Sequence, residues 1–214
     1  GTGLAARAQT AGRGRRGHKW DSTAGNLLLS IVLRPCVNPA KYSGLAAVSG
    51  LAVLEALEKQ GLASEIALKW PNDLVARGRK LGGILVEAAR DNEGKPFAVC
   101  GIGVNVNYTP QEVPDGGLAA IGLSDLNESV PAVDMLLDEV YHAVIDAVDT
   151  WAERLNAMEE NAGPLAPVHD EYIAHLNWIG KHVIARSPAG DELARGIFRT
   201  VDDCGRACIE TESG

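Results

Sequence analysis

The sequence predicts an α+β fold: a mixed, largely antiparallel sheet backed by helices, followed by a small β-module. Three observations carry this. Between residues 65 and 106 short β-rich runs alternate with tight turns, which reads as a succession of hairpins joining antiparallel neighbours. Two segments, 43–59 and 133–159, repeat apolar residues at helical spacing. From Lys181 onward the pattern shortens to brief strands and Gly/Asp turns.

The elements follow in order. Asn26 to Leu33 (NLLLSIVL) is a β-rich apolar run that reads as a buried strand ended by Pro35 and Pro39. Ser43 to Lys59 reads as a helix, with Ser43 as its cap, Leu45, Val48, Leu51 and Ala52 inward, and Glu55, Glu58 and Lys59 outward. Gly61 stops it. Glu65 to Trp70 is a strand, and Pro71-Asn72-Asp73 is a turn, because Pro fixes φ while Asn and Asp bond back to local backbone. Leu74 to Ala76 and Lys80 to Ala88 continue as strand around the basic turn Arg77-Gly78-Arg79, and Phe97 to Val106 follows. A Gly-, Pro- and Asp-rich linker runs from Asn107 to about Pro131. Val133 to Glu159 is the clearest helix, its stripe formed by Val133, Leu137, Val140, Val144, Val148, Trp151 and Leu155. A helix near His169 to Leu176 leads to Gly180. The final strands are Val183 to Arg186, Leu193 to Val201 and Ala207 to Thr211, with turns at Ser187-Pro188-Ala189-Gly190-Asp191 and Asp202-Asp203-Cys204-Gly205. No internal repeat or low-complexity tract interrupts this order.

The 214 residues suffice for one large domain, or one domain with a small module, and for a real core. Hydrophobic residues at 46% and charged residues at 22% fit a soluble globular chain, and no apolar run reaches the roughly 20 residues of a membrane helix. No secretory signal is visible at the N-terminus, but the chain lacks a starting Met, and the expectation is a fragment or a lost beginning. Cys36, Cys100, Cys204 and Cys208 form no CxxC and read as reduced thiols of a cytoplasmic protein. His18, His142, His169, His175 and His182 are scattered and suggest no metal site. A net charge of -8 argues against a general nucleic-acid binder. Against that acidic background Arg13, Arg15, Arg16 and Lys19 crowd one short loop, which points to a specific anionic ligand.

The loop Gly12-Arg13-Gly14-Arg15-Arg16-Gly17 formally matches GxGxxG. The dinucleotide fingerprint, however, requires an apolar strand before it and a helix after it, and neither is present. Its content is different: the glycines let backbone approach a ligand, and the arginines offer planar donors to carboxylate or phosphate. The plain alternative is a solvated basic loop. Lys69-Trp70-Pro71-Asn72-Asp73 is either a hairpin turn or a phosphate site, with Lys69 toward the phosphates and Asp73 an oxygen ligand for Mg²⁺ carried by ATP. Lys80 precedes Gly82 and Gly83; the glycines open space over a sheet, although a lone strand-end lysine is commonly just solvated. Gly101 and Gly103 leave similar room for a flat ligand, or merely for tight packing. There is no GxSxG elbow and no P-loop, so any use of ATP relies on another architecture.

Taken together, Gln9 to Gly17, Trp20, Asn26 to Ser30, Lys69 to Asp73, Lys80 to Glu87 and Gly101 to Asn105 resemble, in order and spacing, the signature of the biotin protein ligases. The fit covers residues 3 to 107, and the terminal β-module looks like that family's SH3-like domain. The resemblance implies a biotin/lipoate ligase-like fold with a catalytic domain over 1–178, its N-terminal part missing, and an SH3-like module over 179–214, incomplete at its end. It implies an enzyme that uses ATP with Mg²⁺ to activate biotin as biotinoyl-AMP and passes it to a lysine of a biotin carboxyl carrier protein domain.

The resemblance also assigns roles. Lys80 and Arg15 are the catalytic pair. Gln9, Arg13, Gly14, Arg15, Trp20, Lys80, Gly83 and Gly103 bind biotin or its adenylate. Arg15, Lys69 and Asn105 meet ATP, and Asp73 is linked to the metal. Two departures accompany it. The family's Ser-Thr-Asn segment, which grips the biotin ureido ring, lies upstream of this loop, whereas Ser22-Thr23-Ala24 lies downstream, so weak biotin binding is expected. Some members carry an N-terminal DNA-binding winged helix; this chain shows no DNA-binding module. A homodimer is compatible with the reading, and no membrane contact is expected. The rivals are a lipoate or octanoate ligase or transferase, and a non-catalytic nucleic-acid or repressor module.

Overall fold

A computed structural model describes the chain apart from residues 18, 63–64, 112–116, 188 and 212–214; at Arg16 the backbone alone is described. His18 and Pro188 therefore lie outside the described residues, as does the side chain of Arg16 in the basic loop.

Six strands form one sheet: β1 (Thr2–Ala5), β2 (Leu27–Leu33), β3 (Ile66–Lys69), β4 (Asp73–Ala76), β5 (Arg79–Arg90) and β6 (Pro96–Val104), in the spatial order β1-β2-β6-β5-β4-β3. The six strands pair antiparallel throughout, as short hairpins from β3 to β6 require. Isolated parallel bridges of Leu68 with Leu176 and of Lys80 with Ala120 give the sheet the mixed character expected. β1 has no counterpart in the sequence reading. Its four residues are all exposed, so no apolar alternation marks it, and only pairing with β2 makes it a strand.

One face of the sheet is covered by α1 (Leu45–Lys59) and α2 (Val133–Asn156). α1 is buried nearly all round as far as Leu57, because it lies between the sheet and α2. A short 3₁₀ segment, Pro39–Gly44, leads into it, and its N-cap is Gly44 with no side-chain cap; Ser43 does not cap the helix as expected. The α2 stripe is seated as its spacing predicts, with Val140, Val144, Val148, Trp151 and Leu155 buried, although Leu136 rather than Leu137 takes the inner position in the first turn. Trp151 Nε1 donates to the Pro164 carbonyl at 2.7 Å, satisfying a buried indole.

A short helix, α3 (His169–Ala174), leads to a second antiparallel sheet of β7 (His182–Arg186), β8 (Glu192–Val201) and β9 (Ala207–Thr211). Phe198 and Val201 of β8 join the main core cluster. Three hydrogen bonds also tie the turn between β8 and β9 to the larger unit: Trp70 Nε1 to the Gly205 carbonyl at 3.0 Å, Gly163 N to Asp203 Oδ2 at 3.0 Å, and Leu165 N to the Asp203 carbonyl at 2.8 Å. Among the described residues no helix is long and apolar enough to cross a membrane.

Candidate functional site

Side chains on directly paired residues of an antiparallel sheet share a face. One such rung crosses five strands: Lys69 opposes Asp73, Asp73 opposes Gly83, Gly83 opposes Gly103, and Gly103 opposes Leu28. This rung lies on the face away from α1 and α2. Leu28 and Val75 are buried there, yet neither belongs to the main core cluster, whereas their chain neighbours Leu27, Leu29, Leu74 and Ala76 do.

In a regular strand Lys80 and Gly83, three residues apart, would point to opposite faces. They do not, because β5 bulges: Leu74 pairs with Gly82 and Val75 with Lys80, leaving Leu81 extra. Leu81 turns fully into the core, and Lys80 swings onto the face of Asp73 and Gly83. Lys80 Nζ then lies 2.7 Å from Asp73 Oδ1 and 5.5 Å from the Trp20 ring centre. The linker after β6 supports this position: Lys80 N donates to the Ala119 carbonyl at 2.8 Å, and Ile121 N to the Lys80 carbonyl at 2.9 Å.

Gly103 floors the site. A Cβ there would stand 2.6 Å from the Trp20 indole, so the ring can lie on the sheet only because the residue is glycine. Trp20 Nε1 is buried and, among the described residues, has no hydrogen-bond partner. Gly12 is equally constrained, since a Cβ would stand 2.5 Å from the Trp20 carbonyl and closer still to Ser22 Oγ. Trp20 N donates to the Gly12 carbonyl at 3.0 Å, which closes the loop on itself.

The basic loop is anchored by its arginines. Arg13 Nη2 donates to Glu87 Oε2 at 2.6 Å, and Arg15 Nη1 to Asn72 Oδ1 at 3.0 Å. Asn72 in turn donates from Nδ2 to the Ile84 carbonyl at 2.6 Å, holding the turn against β5. Gln9 Oε1 accepts a hydrogen bond from Ser22 Oγ at 2.8 Å, while Gln9 itself is exposed. Gly14 sits between the two arginines, half-buried.

Lys69 Nζ lies 3.7 Å from Asp73 Oδ2, so both oxygens of that carboxylate face ammonium groups. Burial pulls the Lys69 pKa below the ordinary lysine value; the charges of Lys80 and Arg15 act in the same direction, and Asp73 opposes them. Two ammonium groups thus flank one carboxylate, with the Arg15 guanidinium close enough to act on Lys69, a local excess of positive charge on an acidic protein. A single carboxylate already engaged by two lysines is a poor fit for a protein-held Mg²⁺.

The structure brings Gln9, Arg13, Gly14, Arg15, Trp20, Lys69, Asp73, Lys80, Gly83 and Gly103 into one region. Asn105 stands apart in character: it is 1% exposed, and Nδ2 donates to the Ile121 carbonyl at 3.1 Å and, more weakly, to the Lys80 carbonyl at 3.4 Å. It braces the backbone of Lys80. Four contributors escaped the sequence reading. Glu87 sits inside a motif with no role of its own, Asn72 reads only as a turn residue, Asn26 only as the start of a strand motif and Ser22 only as lying downstream of the loop. Their partners are, in that order, Arg13, Arg15, the backbone of Val106 and Tyr108, and Gln9. A cleft of about 380 Å³ adjoins the site, lined by Arg15, Pro71, Asn72, Leu85 and Val86 among others. A larger one of about 480 Å³, along residues 166–171 and Asp203, contains none of the motif residues. Cys100 is buried, and burial pushes its thiol up to about 11, consistent with an inert core thiol.

Sheet, glycine floor and cationic cluster together define the class. The biotin/lipoate A/B protein ligase family matches residues 2–107, and the biotin protein ligase C-terminal domain matches residues 178–214. The chain is 36% identical to the biotin--[acetyl-CoA-carboxylase] ligase of Mycobacterium tuberculosis, an alignment covering 98% of this chain and 73% of that protein. It is 34% identical to the enzyme of the same name from Paracoccus denitrificans, covering 98% and 84%. Among solved structures, the biotin protein ligase of Aquifex aeolicus in complex with biotin and ATP superposes with a TM-score of 0.79 at 28% identity, covering all of this chain and 84% of that one. The chain belongs to the biotin protein ligase family.

Proposed function

We propose that this chain joins biotin to ATP, forming biotinoyl-AMP and pyrophosphate, and then transfers biotin to a lysine of a biotin carboxyl carrier protein domain. The observation that carries the reading is the face around Gly83 and Gly103, where Lys80, Lys69 and Arg15 converge beside an indole lying on glycine. Family membership and the names of the relatives favour biotin over lipoate as the acid.

In the first step a biotin carboxylate oxygen attacks the α-phosphorus, and pyrophosphate leaves with the bonding pair. Both reactants are anions, so positive charge placed beforehand lowers the barrier. Each cation at contact contributes on the order of 4 kcal/mol at an effective dielectric of about 20. Lys80, next to the glycine floor, holds the carboxylate and then the charge shared with the α-phosphate oxygens. Arg15 and Lys69, on the Asn72–Asp73 side, face the phosphates. Asp73 keeps the two ammonium groups apart and in place. Mg²⁺ would arrive on the phosphates of ATP and neutralise part of their charge. In the second step the carrier amine attacks the acyl carbon of the anhydride, AMP departs, and the amide nitrogen loses a proton. No covalent enzyme intermediate is needed.

The test is ATP–pyrophosphate exchange with biotin or lipoate as the only acid. Exchange driven by biotin is expected; exchange driven by lipoate alone would transfer the chain to the rival activity. Titration with DNA at several salt concentrations addresses the repressor reading, which requires tight binding that weakens steeply with salt.

A further inference from the structure

β3 is the last strand of the large sheet, yet its outer edge is occupied. Leu68 N donates to the His175 carbonyl at 2.9 Å, and Asn177 N donates to the Leu68 carbonyl at 2.8 Å, so residues 175–177 add a parallel rung opposite Leu68. This rung delivers Trp178 to Lys69, whose Nζ stands 4.6 Å from the centre of the indole. Immediately beyond, Gly180 takes φ +78° and its N–H donates to the Phe198 carbonyl at 2.8 Å, which fastens this segment to β8. Trp178 is therefore held at the junction of the two sheets, and the Lys69 ammonium lies between its ring and Asp73.

Resting on the ligase reading above, we propose that Trp178 is a positioning residue for Lys69, presenting that ammonium to the nucleotide phosphates and thereby linking the junction with the small sheet to ATP binding. A ring face suits this task. It attracts the cation without adding an opposing charge, so the ammonium keeps its positive charge for an incoming anion. A second carboxylate in the same place would hold the lysine but cancel its charge. Lys80, not Lys69, neighbours Gly83 and Trp20, so the effect belongs to ATP and not to biotin.

The experiment uses the full chain with Trp178→Leu and Trp178→Phe, measuring KM for ATP and for biotin in biotin-driven ATP–pyrophosphate exchange. Spectra of protein labelled at the lysine ε-carbons accompany the kinetics. Trp178→Leu is expected to raise KM for ATP roughly five- to tenfold, with KM for biotin unchanged. The Lys69 ε-CH₂ signal, shielded by the ring in the parent, should move to an ordinary position. Trp178→Phe should keep most of the shielding and raise KM for ATP about twofold, since the smaller ring is the weaker partner. If Trp178→Leu does not fold, Trp178→Phe decides by the same split. An unchanged KM for ATP in a folded variant, or equal rises for ATP and biotin, overturns the proposal. An unshielded Lys69 signal in the parent does so independently of activity. A parent chain that shows no exchange at all, while Lys69 is shielded, counts against the ligase reading and not against the contact.

Discussion

At Gly103 a single hydrogen decides whether Trp20 can lie on the sheet. Gly103→Ala places a methyl group 2.6 Å from the indole and must push the ring away. The expected outcome is a loss of biotin affinity by at least tenfold with a melting temperature close to the parent's, because the ring is only partly buried and has somewhere to go. An unchanged biotin isotherm would mean that the floor is not part of the pocket. Lys80→Gln keeps length and hydrogen bonding while removing charge. Adenylation should fall at least roughly a hundredfold, about 2.7 kcal/mol of transition-state stabilisation. Stability should fall only in part, since Lys80 and Asp73 are 31% and 15% exposed but Asp73 keeps Lys69 as a partner when Lys80 loses its charge. Single-turnover formation of biotinoyl-AMP beside a thermal melt separates the two. Asp73 differs from both in serving two lysines at once. Asp73→Asn should weaken use of ATP and of biotin together; a selective ATP defect would instead favour contact between Asp73 and a cation carried on the ATP phosphates.

The basic loop is the element most open to direct test. Its arginines bond outward to Glu87 and Asn72, both on or beside β5, and these contacts are solvent-exposed, 70% for the side chain of Arg13. Exposed pairs of this kind hold a loop weakly. Cleavage by trypsin at Arg13, Arg15 or Arg16 should therefore proceed in the unliganded protein and slow markedly with biotin plus ATP. Equal rates in both conditions would show that the loop does not close over ligand. α2 represents the opposite case, an element that stabilises without touching the site. Trp151→Phe leaves the Pro164 carbonyl without its buried donor, a cost of about 1–3 kcal/mol. The urea midpoint should fall accordingly, while turnover per folded molecule stays at the parent value.

At the scale of the whole molecule, one of the contacts that tie the small sheet to the rest of the chain titrates, the one between α3 and β8. His169 Nε2 contacts the Val201 carbonyl at 2.7 Å, and Nδ1 lies 3.2 Å from Asp170 Oδ1. Burial alone would lower its pKa, but the Val201 carbonyl together with Asp170 and Asp203 raises it above the ordinary 6.5. A raised folded pKa means the contribution to stability is complete below the unfolded value and fades as pH climbs through the folded one. The melting temperature of the parent should thus exceed that of His169→Gln most at about pH 6 and least at about pH 8.5. The gap should be small, because the group is partly solvated. A gap that widens with pH would contradict this assignment.

Much of the local structure was legible from the residues alone. The 3.6-residue recurrence in α2 named its buried face, since a long amphipathic helix has only one way to hide its stripe. The turn at Arg77-Gly78-Arg79 followed from glycine's backbone freedom, and Gly78 does take φ +72°. The turn at Pro71-Asn72-Asp73 was also legible, although Asn72 and Asp73 spend their side chains on Arg15, Ile84 and two lysines rather than on local backbone. The motif residues were legible as a set only through their resemblance, in order and spacing, to the biotin protein ligases; on residue chemistry alone each kept a plain alternative. What the tertiary structure decided was orientation and partnership. Alternation along a strand would send Lys80 and Gly83 to opposite faces, and only the bulge at Leu81 unites them. A bulge answers to packing on the neighbouring strand, so its position has no local signature. Exposed β1 became a strand through pairing, Asn105 became a brace through burial, and Trp178 reached Lys69 through a rung formed more than a hundred residues away. Each depends on which distant segment fills a given edge or cavity, and that choice is made by the free energy of the assembled fold.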